Sequence, residues 1–400
     1  MHMDRKLRIA LDCRIGDSRQ GIGTAVLALA KALSDSKVAD QEYTFIVREG
    51  MQNWLAPYVY GPCSLAAIPA SKSSFFKKAL KSIAPLRFVW HKLPTKIYQI
   101  PVSDGYVESQ EFDVVHFPTQ TAYLTDRPTI YQPHDLQHLH YPQFFSKIEF
   151  ALRERYYRTF CDRASFVCVQ AQWTKQDVIN RYGIMEEKMV VVPWGSAFQA
   201  YKSPSVAESR AIVEKYALPD HFFFYPAVTW PHKNHESILR ALHLLKSEHR
   251  CRPHVYFTGA TTDYRSVLDK LAQELCVSDQ VHFLGFLPSE ELQAIFGAAT
   301  AMIYPSKFEG FGLPILEAFQ ARLPVLSSSA TTLPEVALDA ALYFDPDSPA
   351  ELASLMKTIL DVPEVRQELI SKGTRVLSHY SFSDTAASFQ ALYERTAVLS

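Results

Sequence analysis

The chain has 400 residues, 48% of them hydrophobic and 21% charged, with a formal net charge of −1 at pH 7. This composition excludes a disordered chain, and the near-neutral charge gives no general attraction to nucleic acid. The length exceeds the usual size of a single hydrophobic core and therefore predicts two domains.

The cysteine pattern and the hydropathy pattern indicate the compartment. The six cysteines form no Cys-x-x-Cys pair, which argues against a zinc knuckle or disulfide framework and favours a reducing environment. The first apolar run, 7–11, is too short for a signal peptide, and the sequence has no run of about eighteen apolar residues. We therefore expect a cytoplasmic protein without a membrane-spanning segment.

Strand-like and helix-like patterns alternate through the first half of the chain. A glycine-containing loop and a helical period follow the first predicted strand. The predicted strands are 7–12, 44–47, 114–117, 129–132, 166–169 and 189–192. Strands that alternate with helices predict a parallel, doubly wound sheet.

The alternation begins again after a polar stretch, 199–209, which is the predicted linker. The second half has predicted strands at 222–228, 255–259, 281–284 and 301–304, with helices at 236–245, 264–275 and 289–298. The expected organisation is a domain over 1–198, a second α/β domain over 199–380 that meets it at a cleft, and a C-terminal helix in 381–400. That helix has an apolar face (Phe389, Leu392, Tyr393) that suits packing on another surface. The sequence does not say which domain it covers.

The segment 304–317, Tyr-Pro-Ser-Lys-Phe-Glu-Gly-Phe-Gly-Leu-Pro-Ile-Leu-Glu, carries the most information about function. Gly310 and Gly312 leave backbone amides uncovered, and Pro314 suits the first position of a helix. Amides at a helix N-terminus form a cradle for a phosphate group.

Two carboxylates lie in the same segment, Glu309 in the loop and Glu317 about one turn into the helix. Acids beside an anion site are unsuited to bind the anion, and they suit the hydroxyls of a ribose or a hexose. The alternative for so short a motif is an ordinary strand–turn–helix with solvated glutamates.

Together these residues resemble the retaining, nucleotide-sugar-dependent glycosyltransferases of family four. The resemblance covers nearly the whole chain and is strongest over 222–346. It implies the α/β GT-B fold, with two doubly wound Rossmann-like domains that face a cleft. It also implies that Glu317 binds the ribose hydroxyls of the donor and that Glu309 contacts the donor sugar near O3. The backbone that would face the sugar and the diphosphate is that of Gly310, Phe311, Gly312 and Leu313.

Lys233 resembles the diphosphate-binding lysine of this family. The family commonly has an arginine five residues earlier, where this chain has Val228. Departure of a diphosphate requires stabilisation of its negative charge, so another group must contribute. His232 is the first candidate, and Arg265 and Arg322 are weaker ones.

Two positions in the first half complete the implied site. Gly23, in Gly-Ile-Gly-Thr, resembles the loop that approaches the donor phosphates and the acceptor, although a plain turn also fits. His134 follows a predicted strand and resembles the sugar-contacting histidine of the family, at the edge where parallel sheets present ligand-binding groups. A capping or core role is the alternative, and a zinc site shared with His138 and His140 is disfavoured.

The resemblance also implies the base contact and the reaction. Phe286, after Gly285, matches the position that holds the nucleobase, and a buried core aromatic is the alternative. Transfer would retain the anomeric configuration without a metal or other cofactor. In a front-face reaction the leaving phosphate oxygen accepts the acceptor's proton, and double displacement is the alternative. The expected catalytic residues are Glu309, His134 and Lys233.

The donor and the acceptor are less defined. Strings around His134, 142–146 and 230–234 look like those of bacterial surface-polysaccharide mannosyltransferases, which favours GDP-mannose over UDP-glucose or dTDP-rhamnose. The stretch 72–96 is basic and aromatic without an acid. It fits either an anionic membrane surface, with a lipid-linked glycan as acceptor on the inner face, or a solvated face.

Three other functions remain open at this point. A sugar-nucleotide epimerase and a pyridoxal-phosphate-dependent phosphorylase can use the same fold. A non-catalytic nucleotide-sugar-binding partner would explain Val228, but the presence of both Glu309 and Glu317 argues against it. The charge balance disfavours a nucleic-acid partner.

Overall fold

The computed structural model describes residues 5–14, 21–69 and 99–399. These residues divide into two compact units. The first unit contains the described residues up to Gln170, Lys175–Val192 and the chain from Ser383 onward, and the second contains Ala171–Thr174 and Pro193–Phe382. The basic stretch 72–96 lies outside the described residues.

The first unit is built on a parallel seven-stranded sheet with the order β3-β2-β1-β4-β5-β6-β7. The strands are β1 Leu7–Asp12, β2 Gln41–Arg48, β3 Cys63–Ile68, β4 Val114–Phe117, β5 Thr129–Tyr131, β6 Phe166–Val169 and β7 Met189–Val191. Strands β4 and β6 are buried along their whole length, as expected when helices cover both faces of a parallel sheet. The edge strand β3 was not predicted.

The helices of the first half connect these strands. Within the described ranges these helices are Ile22–Ser34, Tyr106–Ser109, Gln137–His140, Lys147–Arg163 and Gln172–Tyr182. The helix Lys147–Arg163 begins with a capping box, in which Ser146 and Glu149 each bond the other's backbone N–H. Its Tyr157 and Phe160 pack into the same hydrophobic core as Val115 and Val167 of the sheet.

The second unit is built on a parallel six-stranded sheet with the order β10-β9-β8-β11-β12-β13. The strands are β8 Phe222–Pro226, β9 His254–Thr258, β10 Val281–Gly285, β11 Ala301–Tyr304, β12 Val325–Ser328 and β13 Ala341–Phe344. The helices are Val206–Lys215, His235–His249, Arg265–Glu274, Ser289–Ala298, Leu313–Gln320, Leu333–Ala337, Pro349–Asp361 and Pro363–Leu377. The predicted alternation of strands and helices is confirmed in both units, although strands β12 and β13 were not predicted.

The stretch predicted to be a linker is partly helical. A 3-10 turn covers Ala197–Ala200, and the helix Val206–Lys215 begins within the polar stretch. Ser205 caps this helix, because its hydroxyl accepts the N–H of Glu208 at 3.2 Å. Helix-capping residues are polar, which gave this segment the composition of a linker.

The helix Phe382–Ala397 ends the described chain, and from Ser383 onward it belongs to the first unit. Its Phe389 and Tyr393 are fully buried. The Phe389 ring lies 4.7 Å from that of His116 on β4, and the Tyr393 hydroxyl lies 2.8 Å from His116 Nδ1. The apolar face therefore covers the first sheet.

Across the three described ranges, no helix combines the length and the apolar character needed to cross a membrane.

Candidate active site

Lys233 and Glu309 lie where the strand order of the second sheet reverses. Strands β8 and β11 are parallel neighbours, with β9 and β10 on one side and β12 and β13 on the other. Lys233 ends the turn after β8, and Glu309 lies in the loop after β11. The carboxyl ends of parallel strands at such a reversal form a crevice in which α/β proteins bind ligands.

These two residues form an ion pair. Lys233 Nζ lies 2.6 Å from Glu309 Oε1, and the two side chains are only 18% and 12% exposed. The ammonium also lies 6.0 Å from the centre of the Tyr304 ring. A hydrogen bond between charged groups is strong when it is short and largely shielded from water. This bond therefore fixes both side chains beside the loop after β11.

The turn that carries Lys233 is held by buried polar groups. Asn234 has a left-handed backbone, with φ of 57°, and its Nδ2 donates to Pro305 O at 3.0 Å and to Pro346 O at 2.8 Å. The Tyr225 hydroxyl donates to the Lys233 carbonyl at 2.9 Å. Asparagine tolerates the left-handed region better than most residues. These bonds join the loop after β8 to the loops after β11 and β13.

The residues 309–312, which we call the glycine loop, lead into the helix Leu313–Gln320. This helix begins one residue earlier than predicted, and Pro314 lies in its first turn. Gly312 is the N-cap and has φ of 105°. The backbone angle favours glycine, and a Cβ at this position would lie 2.7 Å from Leu333 Cδ2, so that side chain would also have to shift.

The amides of this loop are available to a ligand. Within the described ranges, the backbone N–H groups of Gly310, Phe311, Gly312 and Leu313 donate to no protein acceptor. Four such donors at a helix N-terminus are the arrangement that binds phosphate groups.

Glu317 lies in the second turn of the same helix and is only 8% exposed. Burial raises the pKa of its carboxyl group from 4.5 to about 7. Among the hydrogen bonds and ion pairs of the described residues, none includes the Glu317 carboxylate. An unpaired, largely buried carboxylate can accept hydrogen bonds from ligand hydroxyls.

Phe286 is half-exposed, at 48%, and follows Gly285 at the carboxyl end of β10. The alternative of a buried core aromatic is therefore wrong. The predicted nucleobase contact stays a prediction.

Three side chains are candidates to supply the charge of the arginine that is absent at position 228, and their surroundings differ. His232 is buried, with its ring 5.6 Å from that of Trp230. The Arg265 guanidinium covers the Phe283 ring at 3.4 Å and donates to Asp269. Arg322 is exposed beyond the C-terminal end of the motif helix. That end is about 12 Å from the glycine loop, so Arg322 is wrongly placed to face the phosphates.

An acidic string of the kind that can bind a metal ion follows β13. The sequence contains one Asp-x-Asp string, Asp345-Pro346-Asp347. Asp345 accepts the N–H of Asp347 at 2.9 Å, and Asp347 pairs with Lys307. In the part of the chain that the structure describes, no group of three or more His, Cys, Asp or Glu side chains could hold a metal ion.

The first-unit residues of the predicted site lie at the carboxyl edge of the first sheet. Gly23 is buried in the first turn of the helix Ile22–Ser34, and Gly21 is its N-cap with φ of 55°. The Thr24 hydroxyl donates to Gly21 O at 2.7 Å. The glycine pair therefore forms the start of a helix, as predicted.

His134 lies in a left-handed backbone conformation after β5, with φ of 65°. Its ring is buried, with Nδ1 3.2 Å from Gln170 Oε1 and Nε2 3.1 Å from Pro118 O. Burial lowers its pKa to about 4, so the ring is neutral at neutral pH. To contact a sugar, the ring must exchange one of these partners. Backbone outliers of this kind are frequent at functional sites.

The nearby histidines do not form a zinc site with it. His138 lies 3.4 Å from Glu154, and His140 lies 2.9 Å from Asp177. Each imidazole is paired with its own carboxylate.

Sequence reasoning missed Tyr225, Asn234 and the pair Thr331–Thr332, whose hydroxyls bond the backbone of the glycine loop. The sequence did contain a signal for the two threonines. The stretch 330–335 follows strand β12, just as the glycine loop follows the neighbouring strand β11. Polar residues at the ends of adjacent parallel strands meet at one edge.

Comparison with known proteins agrees with this geometry. A family model described as Glycosyltransferase Family 4 matches residues 19–196, and one described as Glycosyl transferases group 1 matches residues 207–376. Together they cover both units. The chain belongs to the family-four GT-B glycosyltransferases.

Two relatives of this glycosyltransferase are enzymes of O-antigen synthesis. O-antigen chain mannosyltransferase B of Escherichia coli is 29% identical over 60% of this chain and 66% of its own length. O-antigen chain mannosyltransferase RfbU of Salmonella typhimurium is 26% identical over 63% of this chain and 65% of its own length. The chain thus matches just under two thirds of the length of each of these relatives.

Among solved structures, Anabaena HepE in complex with UDP and glucose superposes with a TM-score of 0.72. The match covers 97% of this chain and 100% of HepE at 18% identity. It shows that the glycosyltransferase has the GT-B fold.

Proposed function

We propose that this glycosyltransferase moves a hexose from a nucleotide-diphosphate sugar to a glycan or lipid-linked glycan in surface-polysaccharide synthesis. The observation that carries the proposal is the arrangement at the strand reversal. There Lys233 and Glu309 are paired beside four uncommitted amides, with the unpaired Glu317 in the helix that follows. The relatives named as O-antigen mannosyltransferases support the biological setting.

The diphosphate would bind the amides of 310–313 and Lys233. The ammonium has three donors, so it can bond a phosphate oxygen while it keeps Glu309. With Val228 in place of a cation, the loop amides and the helix dipole contribute more of the charge stabilisation.

The two carboxylates would bind hydroxyls of different parts of the donor. Glu317, on the helix, would accept hydrogen bonds from the ribose, which favours its ionised form. Glu309, beside Lys233, would orient the hexose near O3 and stabilise positive charge at the anomeric carbon.

The reaction would proceed on one face of the sugar, with retained configuration and without a metal or other cofactor. The acceptor hydroxyl oxygen forms a bond to the anomeric carbon as the bond from that carbon to the phosphate oxygen breaks. The hydroxyl proton passes to the leaving phosphate oxygen, so no protein base is needed.

GDP-mannose is the proposed donor. The relatives named as mannosyltransferases support mannose, whereas HepE is described with UDP and glucose. UDP-glucose and dTDP-rhamnose are therefore the donors to compare.

A thermal-shift screen of the full chain with GDP-mannose, UDP-glucose and dTDP-rhamnose tests the proposal. The matched control is Glu317→Gln, which keeps the shape of the side chain but loses the carboxylate. We expect one nucleotide sugar to raise the melting temperature of the native protein and to shift the variant less. If none of the three shifts the native protein, the donor assignment is wrong. A donor that binds but never releases a nucleoside diphosphate would indicate the non-catalytic partner instead.

A further inference from the structure

Three successive carbonyls of the glycine loop are each held by a threonine hydroxyl. The Thr331 hydroxyl donates to Glu309 O at 2.9 Å. The Thr332 hydroxyl lies 3.0 Å from Phe311 O and 3.1 Å from Glu309 O. Thr332 is fully buried, so water does not compete for its hydroxyl.

The carbonyl between these two is held from a different part of the chain. The Thr174 hydroxyl donates to Gly310 O at 3.1 Å. Thr174 is fully buried and lies in the segment Ala171–Thr174 of the same unit. Beside it, the Trp173 ring packs edge-on against Phe308 at 5.6 Å.

These bonds determine where the loop amides point. In a trans peptide the C=O of one residue and the N–H of the next lie in one plane and point in opposite directions. A hydroxyl that holds the carbonyl of Glu309, Gly310 or Phe311 therefore also fixes the next amide N–H, which points away from that hydroxyl. The amides fixed in this way donate to no protein acceptor in the described ranges.

Thr331 has an unusual backbone for this task. Its φ is 50°, and a β-branched residue in the left-handed region is a genuine outlier. Its hydroxyl bonds the same residue twice, since it also accepts the Glu309 N–H at 3.1 Å. Strain of this kind persists where the surrounding bonds over-determine the conformation, commonly at functional sites.

We propose that Thr331, Thr332 and Thr174 are positioning residues of the donor site. They hold the peptide planes of 309–312 so that the amides face the diphosphate of the nucleotide sugar before it binds. This inference rests on the proposed function and adds residues that touch the backbone of the cradle rather than the donor.

The first test is Thr332→Val, which replaces the hydroxyl by a methyl group of similar size. Calorimetry would compare GDP with guanosine, UDP with uridine, and dTDP with thymidine. We expect affinity for the nucleoside diphosphate to fall about tenfold, the loss of roughly one hydrogen bond, while nucleoside affinity changes less than about twofold. Thr332→Ser should restore diphosphate binding. Thr396→Val is the matched control, because Thr396 is equally buried and its hydroxyl donates to Leu392 O within the C-terminal helix.

The second test separates positioning from folding. Thr331→Gly removes the strained φ together with the hydroxyl, and Thr331→Ser keeps the hydroxyl. We expect the glycine variant to remain folded and to lose about tenfold in diphosphate affinity. The serine variant should bind like the native protein.

The outcomes are distinguishable. If the native protein binds none of GDP, UDP and dTDP, the proposed function and this inference both fail. If it binds one of them, and Thr332→Val and Thr331→Gly bind it equally well, the positioning role alone is wrong. Equal losses for nucleoside and diphosphate would show a merely structural role and would also overturn it.

Discussion

The Nζ atom of Lys233 lies 2.6 Å from Oε1 of Glu309, across the point where the strand order of the second sheet reverses. The cation expected to bind a diphosphate is thus already neutralised by the acid expected to orient the sugar. Because both side chains are largely buried, removal of either partner leaves the other charge unpaired and poorly hydrated.

Loss of the lysine should affect phosphate binding selectively. Lys233→Met should weaken binding of a nucleoside diphosphate about 10- to 100-fold, because a charge-assisted bond to phosphate contributes about 1.5–3 kcal/mol. Nucleoside binding should change little. Isothermal calorimetry measures both. Lys307→Met is the control, since Lys307 pairs with Asp347, and an equal loss in that variant would contradict a specific role for Lys233.

The ion pair should also couple the two residues in stability. Lys233→Met should lower the melting temperature because Glu309 remains buried and unpaired. The double variant Lys233→Met/Glu309→Gln should regain part of the loss. Melting curves of the two single variants and the double variant form the test, and strictly additive effects would mean that the pair contributes no coupling.

Glu317 should make stability depend on pH. Its folded-state pKa of about 7 lies above the 4.5 of an ordinary glutamate. The folded state therefore holds the proton more tightly, and this stabilisation is complete below pH 4.5 and lost as the pH rises through 7. Glu317→Gln should gain stability relative to the native protein between pH 5 and pH 8, by up to about 3 kcal/mol. A difference in melting temperature that does not change with pH would be evidence against this.

Binding of the donor should release protons from the same residue. Ribose hydroxyls that donate to Glu317 favour its ionised form and lower its pKa. Binding of the nucleoside diphosphate can be measured by calorimetry at pH 6.5 in two buffers with different ionisation enthalpies. The difference between the two binding enthalpies should show proton release, and Glu317→Gln should abolish most of it. The same release in the variant would place the proton elsewhere.

The C-terminal helix should be essential to the first unit. Phe389→Ala removes a fully buried ring packed on His116 and should cost about 3–5 kcal/mol. The exposed neighbour Ser388 gives the control Ser388→Ala, which should change stability by less than about 0.5 kcal/mol. The measurement is the free energy of unfolding of both variants by denaturant. If it changes as little in Phe389→Ala as in Ser388→Ala, the helix is only loosely packed.

The sequence predicted most of the sheets, because buried parallel strands are continuous apolar runs. Strands β3, β12 and β13 were missed. In the edge strands β3 and β13, fully buried and partly exposed residues mix. Strand β12 is buried, but two of its four residues are serines, which leaves too short an apolar run. The glycine loop was predicted from Gly312 and Pro314, whose backbone requirements are local.

The supporting contacts could not be predicted in the same way. The Lys233–Glu309 pair depends on β8 and β11 being neighbours, and nothing in the sequence between them states that order. The position of Thr331 and Thr332 after β12 could place them at the edge of the sheet. It does not identify the carbonyls that their hydroxyls bond, because a hydroxyl bonds whatever carbonyl the fold brings near. The buried pairing of His134 with Gln170 likewise became visible only in three dimensions.

In the proposed reaction Glu309 acts on the transferred sugar, while Glu317 and the loop amides hold the nucleotide. The most direct measurement is nucleoside diphosphate release by Glu309→Gln, with the donor that binds the native protein, alongside its affinity for that nucleoside diphosphate. Release should fall about 100-fold or more, while affinity should be unchanged or higher because Lys233 is freed. Equal losses of release and affinity would contradict this division of roles.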